Sequence, residues 1–336
     1  MKLATYQDGS RDGQLVVVSR DLSTAHFATS TATRLQQVLD DWNFLSPQLQ
    51  DLYVTLNQGK ARHAFAFEPQ KCMAPLPRAF QWAEAHAYPG ADAALRLQAG
   101  AGDDFQGPCQ AAWFGAESWG IDFQAGLAAI TGDVDMGASA DQGLNGVRLL
   151  MLANSWALRE LEAAEAALGA GLLQSRPSPA FSPVAVTPDE LGEAWHRGRV
   201  HLTLQTTVNG KKLGLCEAGA DMAFDFGQLI AHLAKTRRVR AGTVVGTGPV
   251  ANLDTSKGAC SLAARRAHEA QQDGQARTPY LVTGDTVRIE MKGRDGLSLF
   301  GRIEQRVTGP SEPIETPAAD DADELAGQPA GEAGAV

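Results

Sequence analysis

Few residues in this sequence are of types and spacings that could do chemistry together. In the run Trp119–Thr131 side-chain type alternates with period two, which places Asp122, Gln124 and Gly126 on one face of a strand. That face offers one carboxylate and one amide oxygen, whereas a hard divalent cation is held mainly by carboxylate charge. A second candidate is Cys260, beside Lys257 and Arg265, whose positive charges would lower the pKa of an accessible thiol; a packed, inert thiol is the plainer reading. The glycine-rich run Gly242–Pro249 lacks the lysine of a phosphate-binding loop, and no GxSxG nucleophile elbow occurs, so the glycines read as strand-end turns.

The elements that must position these groups are mostly strands. Met1–Tyr6 and Gln14–Ser19, separated by Asp8–Gly13, read as a hairpin. Thr31–Asn57 reads as two amphipathic helices, with Leu35, Val38, Leu39 and Trp42 and then Leu49, Leu52, Tyr53 and Leu56 on their apolar faces, suited to covering one face of a larger domain. Lys71–Arg78 is a proline-punctuated connector. Beyond it the chain is rich in β-forming runs, among them Val147–Arg159, His201–Val208, Thr243–Gly248 and Thr286–Met291. Helices are expected only near Asp141–Gly146, Glu160–Ala170 and Asp225–Thr236. Many strands with few helices predict a β-rich α+β domain closed as a roll or barrel.

Formal charge is −10, but seven acidic residues and no Lys or Arg follow Pro310, so the body is close to balanced. Residues 309–336, rich in Ala, Gly, Pro, Glu and Asp, read as a disordered acidic tail. Such a body gives no electrostatic reason to bind nucleic acid or an anionic membrane, and no apolar run approaches the ~20 residues of a spanning helix. Cys72, Cys109, Cys216 and Cys260 form no CxxC and follow no signal peptide, which predicts reduced thiols in a cytoplasmic protein.

Several stretches together carry a resemblance: Gly120-Ile121-Asp122-Phe123-Gln124, Phe181–Leu191, Phe224–His232 and Gly242–Gly248. Their wording resembles the fumarylacetoacetate hydrolase family over nearly the whole body. The resemblance implies a small N-terminal domain at residues 1–72, a mixed β-roll at residues 73–308 and a homodimer. It also implies cleavage, decarboxylation or tautomerisation of a 2,4-dioxo acid or a relative on Mg²⁺ or Ca²⁺, with a His activating water, a Glu orienting it and a Lys stabilising the oxyanion.

Matched position by position, the machinery is missing. Of the four metal-ligand positions, Glu84 alone keeps a carboxylate; Gln124, Gly126 and Ser155 occupy the others. Gly90 and Ala91 stand where the family has the pair containing its catalytic His, and Ala264 where it has the orienting Glu. His86 reads as an exposed loop residue. The loop between Arg96 and Phe105 is shorter than the family's, which predicts a more open pocket. Arg159 matches an arginine near the substrate carboxylate, Arg176 replaces the lysine, and Tyr88 follows the first ligand position. A guanidinium suits two-pronged anion binding better than proton transfer.

No metal is therefore expected, although a shifted set of Glu84 and Asp122 is an alternative. Arg159 and Arg176, facing one cavity and short of balancing acids, are expected to hold a small keto acid or dioxo acid. The alternative pairs Arg159 with Glu160, Glu162 or Asp122 and leaves Arg176 exposed. The expected function is a repurposed, metal-independent lyase, tautomerase or cyclising enzyme using Glu84, Arg159, Arg176 and Cys260, or a pseudoenzyme. An active hydrolase with a rearranged site and a non-catalytic partner subunit are the alternatives.

Overall fold

A computed structural model of the chain describes residues 1–88, 94–169 and 171–310. Gly90, Ala91 and all but the first two residues of the acidic tail lie outside the described residues.

The first module contributes β1 (Lys2–Tyr6), β2 (Gln14–Val18), β3 (Thr24–Phe27), α1 (Leu35–Asp40), α2 (Trp42–Asn57) and β4 (Phe65–Ala66). Next come β5 (Trp82–Ala85), β6 (Leu97–Gly100), β7 (Ala112–Trp113), β8 (Ile121–Asp122), β9 (Ala125–Thr131), α3 (Ala140–Asn145), β10 (Val147–Asn154), β11 (Ala157–Leu158) and α4 (Arg159–Leu168). The chain continues through β12 (Ala180–Phe181), β13 (Ala185–Val186), the β14 (Trp195–His196) and β15 (Arg199–Val200) ribbon, β16 (Thr203–Val208), β17 (Lys211–Glu217) and α5 (Phe226–Leu233). It closes with β18 (Val244–Gly246), α6 (Leu262–Asp273), β19 (Thr286–Lys292) and β20 (Ser298–Thr308).

The fold is the strand-rich α+β roll that the sequence predicts, and its principal sheet runs β4-β3-β2-β1-β13-β10-β9-β18-β5-β6. Because β1 pairs with β13, Lys2 opposite Val186 and Leu3 opposite Ala185, the leading hairpin is an extension of the main sheet. A second sheet, β17-β16-β19-β20-β7, packs against one face of the first.

Both faces of the large sheet are covered. Leu127, Ala129, Leu150 and Leu152 join Leu204, Ile289, Phe300 and Ile303 of the second sheet, while Ala128, Ile130, Leu149 and Met151 meet Leu35, Val38, Leu39 and Tyr53 of α1 and α2. Burial on both faces explains why β9 and β10 read as almost unbroken apolar runs. Each such leucine or isoleucine contributes about 1.5–3 kcal/mol.

The structure departs from the sequence reading in three places. The run Trp119–Thr131 is two strands, because at Gln124 the backbone leaves the ladder to bridge Ser261. Strand alternation therefore does not relate Asp122 to Gly126. The run Val147–Arg159 likewise breaks after Asn154, and Arg159 begins a helix. Finally, α6 was not expected; Ser261 caps it by accepting from Ala264 N, and Gly274 closes it in the left-handed conformation.

Glu269 of α6 clamps the following segment. It accepts from Arg277 N at 2.8 Å, Thr278 N at 2.8 Å and Thr278 Oγ1 at 2.6 Å, and from Arg265 Nε at 2.9 Å. The Thr278 hydroxyl, then the backbone donors, pull its pKa down to about 2. A carboxyl depressed in the folded state stabilises above its ordinary pKa and loses that contribution as pH falls towards the depressed value. Acid destabilisation between pH 5 and 2 is therefore expected to be shallower in Glu269→Gln than in wild type. Denaturation midpoints across that range check this, and parallel curves would refute the assignment.

Candidate functional site

The Glu84, Gln124 and Ser155 positions converge where β5, the β8–β9 break and the end of β10 meet. A small cavity of about 10 Å³, the scale of one water, is lined by Trp82, Glu84, Gln98, Ser155, Trp156 and Arg176, among others. Glu84 sits on β5 and is nearly buried; its Oε2 accepts from Gln98 Nε2 at 3.3 Å. Ser155 Oγ, Trp156 Nε1 and Arg176 Nε are buried there without a hydrogen-bond partner among the described residues. The site is thus closed, contrary to the more open pocket expected from the short loop: β6 pairs along β5, opposing Glu84 with Gln98.

Arg176 is 8% exposed, so it is not a loop residue facing solvent. Its Nη1 donates to Gln124 Oε1, and its Nη2 donates to Glu162 Oε1 at 2.9 Å. The other oxygen of Glu162 accepts from Arg159 Nη1 at 2.7 Å. One carboxylate therefore bridges the two guanidinium groups. The expected surplus of positive charge is corrected accordingly: helix α4 carries Arg159 and Glu162 three residues apart on one side, and folding brings Arg176 to the same acid.

Arg159 is also held by Asp122, with Nε at 2.9 Å and Nη2 at 2.8 Å from Oδ2. Asp122 is fully buried and accepts from Leu262 N at 2.7 Å and Ala263 N at 3.1 Å, so it anchors the first turn of α6. Burial pushes its carboxyl above the usual range while Arg159 and the two amides oppose that rise. Burial also opposes the charge on Arg159, yet Asp122 and Glu162 together raise its pKa. Asp122 is therefore committed to a structural ion pair and does not share a ligand set with Glu84.

The other candidates lie apart from this cavity. The Tyr88 hydroxyl donates to Ala218 O at 2.7 Å, and burial raises its pKa. His86 is exposed. Cys260 is completely buried, and its thiol is pushed up by the neighbouring Cys216 thiol and by burial, which fits the packed thiol of the plainer reading and not the catalytic role considered for it. Sequence reasoning missed Gln98, Cys216 and the amide chain behind the site, in which Asn154 Nδ2 donates to Gln305 Oε1 at 3.1 Å and Gln305 Nε2 to Gln106 Oε1 at 2.8 Å. Only the i,i+3 spacing of Arg159 and Glu162 was a visible signal.

These residues do not fit a divalent cation. Gln124 Oε1 is already engaged by a guanidinium, Ser155 offers a neutral hydroxyl, and a Cβ on Gly126 would lie 2.2 Å from Gly248 O. Among the described residues no group of three His, Cys, Asp or Glu side chains converges on a common point.

The fold defines a class, the strand-rich roll described above, and comparisons place the chain within it. Residues 1–78 match the model of the fumarylacetoacetase N-terminal domain 2, and residues 56–308 that of the fumarylacetoacetate hydrolase C-terminal domain. The chain belongs to the fumarylacetoacetate hydrolase family. Fumarylacetoacetate hydrolase from Exiguobacterium antarcticum has a similar structure, at 17% identity and a TM-score of 0.65, covering 92% of this chain and 99% of that one. Maleylpyruvate hydrolase from Sphingobium sp. SYK-6, in complex with manganese(II) and pyruvate, matches at 14% identity and 0.65, covering 92% and 99%. For 5-carboxymethyl-2-hydroxymuconate delta-isomerase from Mycobacterium smegmatis the values are 13% and 0.61, covering 93% and 100%. At these identities the likeness is one of fold. No protein of curated function matches the sequence. No helix among the described residues is long and apolar enough to cross a membrane.

Proposed function

We propose that this chain is a family member in which metal-dependent carbon–carbon hydrolysis has been lost and the former metal centre is filled by an internal cation, the Arg176 guanidinium. The observation that carries the reading is the seating of Arg176 on Gln124 and Glu162 inside a cavity also lined by Glu84 and Ser155. A fixed positive charge there repels a divalent cation and supplies neither its Lewis acidity nor an activated water. The substitutions at Ala91 and Ala264 remove the matched base and its orienter; loss of a general base alone costs ~10²–10⁴ in rate. The protein is on this reading a pseudoenzyme with a degenerate metal site; the homodimer implied by the resemblance and the cytoplasmic location expected from the unpaired cysteines belong to the same proposal.

Metal analysis with an acylpyruvate assay tests it. Purified protein is expected to carry no stoichiometric Mg²⁺, Ca²⁺ or Mn²⁺, to melt at the same temperature with and without EDTA, and to hydrolyse acylpyruvates at background rate. Bound metal stabilises the native state by mass action, so a lower melting temperature in EDTA, one ion per chain or metal-dependent turnover would overturn the proposal.

A second reading, a keto-acid binding protein, is favoured by the bridging of two guanidiniums by one carboxylate, which is how they would hold a ligand carboxylate. Glu162 competes for that place. Oxalate is expected to give little heat with wild type and measurable heat with Glu162→Gln; no heat from the variant would remove this reading.

A further inference from the structure

A cavity of about 520 Å³, within the range of small-molecule sites and sharing no residue with the closed site, lies where the outer strand β17, the turn Thr255–Lys257 and α6 meet. Each element brings a cation: Lys212 from β17, Lys257 from the turn and Arg265 from α6. No Asp or Glu lines it. The acids nearby are engaged: Asp254 Oδ1 accepts from Ser256 N at 3.0 Å, and Glu269 is held by Thr278, Arg277 N and Arg265 Nε. Neither lysine forms an ion pair among the described residues, and the two Nη atoms of Arg265 donate to no protein acceptor there. Positive charge thus collects at one hollow of a chain whose formal charge is −10.

The walls are held by main chain. Gly214 bridges Gly258, Ala259 N donates to Leu213 O at 3.2 Å, and Thr206 Oγ1 donates to Ala259 O at 2.9 Å. A Cβ on Gly258 would lie 2.2 Å from Leu213 O and one on Gly214 2.4 Å from Ala259 O, so β17 and the turn approach as closely as only glycine permits and carry Lys212 and Lys257 on one frame. Arg265 and Gln272, seven residues apart, share a face of α6. We infer that this cavity binds a small sugar phosphate. Cations gathered without an acid repel one another, and a dianion between them offsets that repulsion. A lysine ammonium meets phosphate as a point charge, and the Nη edge of a guanidinium meets it with two parallel donors. The hydroxyls of Thr255 and Ser256 and the amide of Gln272 suit a polar, hydroxylated body, and no aromatic ring lines the cavity for a nucleobase to stack on. Walls already in place lower the ordering cost of binding.

Calorimetric titration of the full-length protein with glucose 6-phosphate at low ionic strength tests this. One site per chain is expected, weakening as salt is raised because both lysines are exposed. Lys212→Gln and Lys257→Gln should each lower affinity about tenfold, and Lys257→Arg should retain most of it. Lys211→Gln, which alters a lysine of β17 outside the lining, should bind as wild type does. All these positions are exposed, so melting temperatures should not change. Inorganic phosphate and AMP should both bind more weakly than glucose 6-phosphate. No heat at millimolar ligand, unchanged affinity in the Lys212 and Lys257 variants, an equal loss in Lys211→Gln, or binding of phosphate or AMP as tight as that of the sugar phosphate would overturn the proposal.

Discussion

Asp122→Ala is expected to cost the fold about 3–5 kcal/mol, the loss typical when one partner of a buried ion pair is removed and the other stays behind. Arg159, only 15% exposed in its side chain, would keep Glu162 but lose both contacts to Asp122. Loss of the acceptor for Leu262 N and Ala263 N would also leave α6 uncapped on its inner side, worth roughly 1 kcal/mol more. Asp122→Asn retains the shape and one acceptor oxygen, so it should fall between the two. Urea unfolding of the three proteins measures the series; a loss below about 1 kcal/mol in Asp122→Ala would show that the pair is not holding α4 to α6.

Rebuilding the carboxylate that the family has at Gly126 is expected to break the protein before it restores a ligand. A Cβ at this position would lie 2.2 Å from Gly248 O and 3.0 Å from Thr247 Oγ1. Gly248 is backbone two residues past the end of β18, where the register in which β9 pairs along Val244–Gly246 runs on to Gly126, so relief requires the sheet itself to shift. Overpacking costs typically about 1–3 kcal/mol, and Gly126→Ala should reach the upper end because the obstacle is main chain. Gly126→Glu adds a buried carboxylate and should be more destabilised still, with no gain in metal content. Melting temperatures and metal analysis of both variants check this. A stable Gly126→Glu protein that binds Mg²⁺ would refute it.

What was legible followed from local rules. The β1–β2 hairpin shows in its Asp-Gly turn, and α1 and α2 in their apolar spacing. The residue types at the four matched positions were legible because they are a matter of residue identity. The seating of Arg176 among them was not, because it reaches Gln124 and Glu162 across 52 and 14 residues, and no local pattern encodes those approaches. The break at Gln124 was hidden for the same reason, since its cause is a bridge to Ser261. Helix α6 was the avoidable miss: Ser261 before an alanine-, arginine- and glutamate-rich run and Gly274 after it mark both ends.

On the proposed reading, a guanidinium in place of a bound metal has a consequence for how this fold meets its surroundings. A dissociable ion stabilises a protein only in proportion to its supply, so folding yield and lifetime follow the ionic composition of the compartment. A cation carried on the chain is delivered at synthesis in one-to-one stoichiometry, cannot be stripped by chelators and cannot be exchanged for a tighter-binding competitor higher in the divalent series. On that reading the scaffold is indifferent to metal scarcity and to metal poisoning alike, and it gives up the possibility of being switched by either.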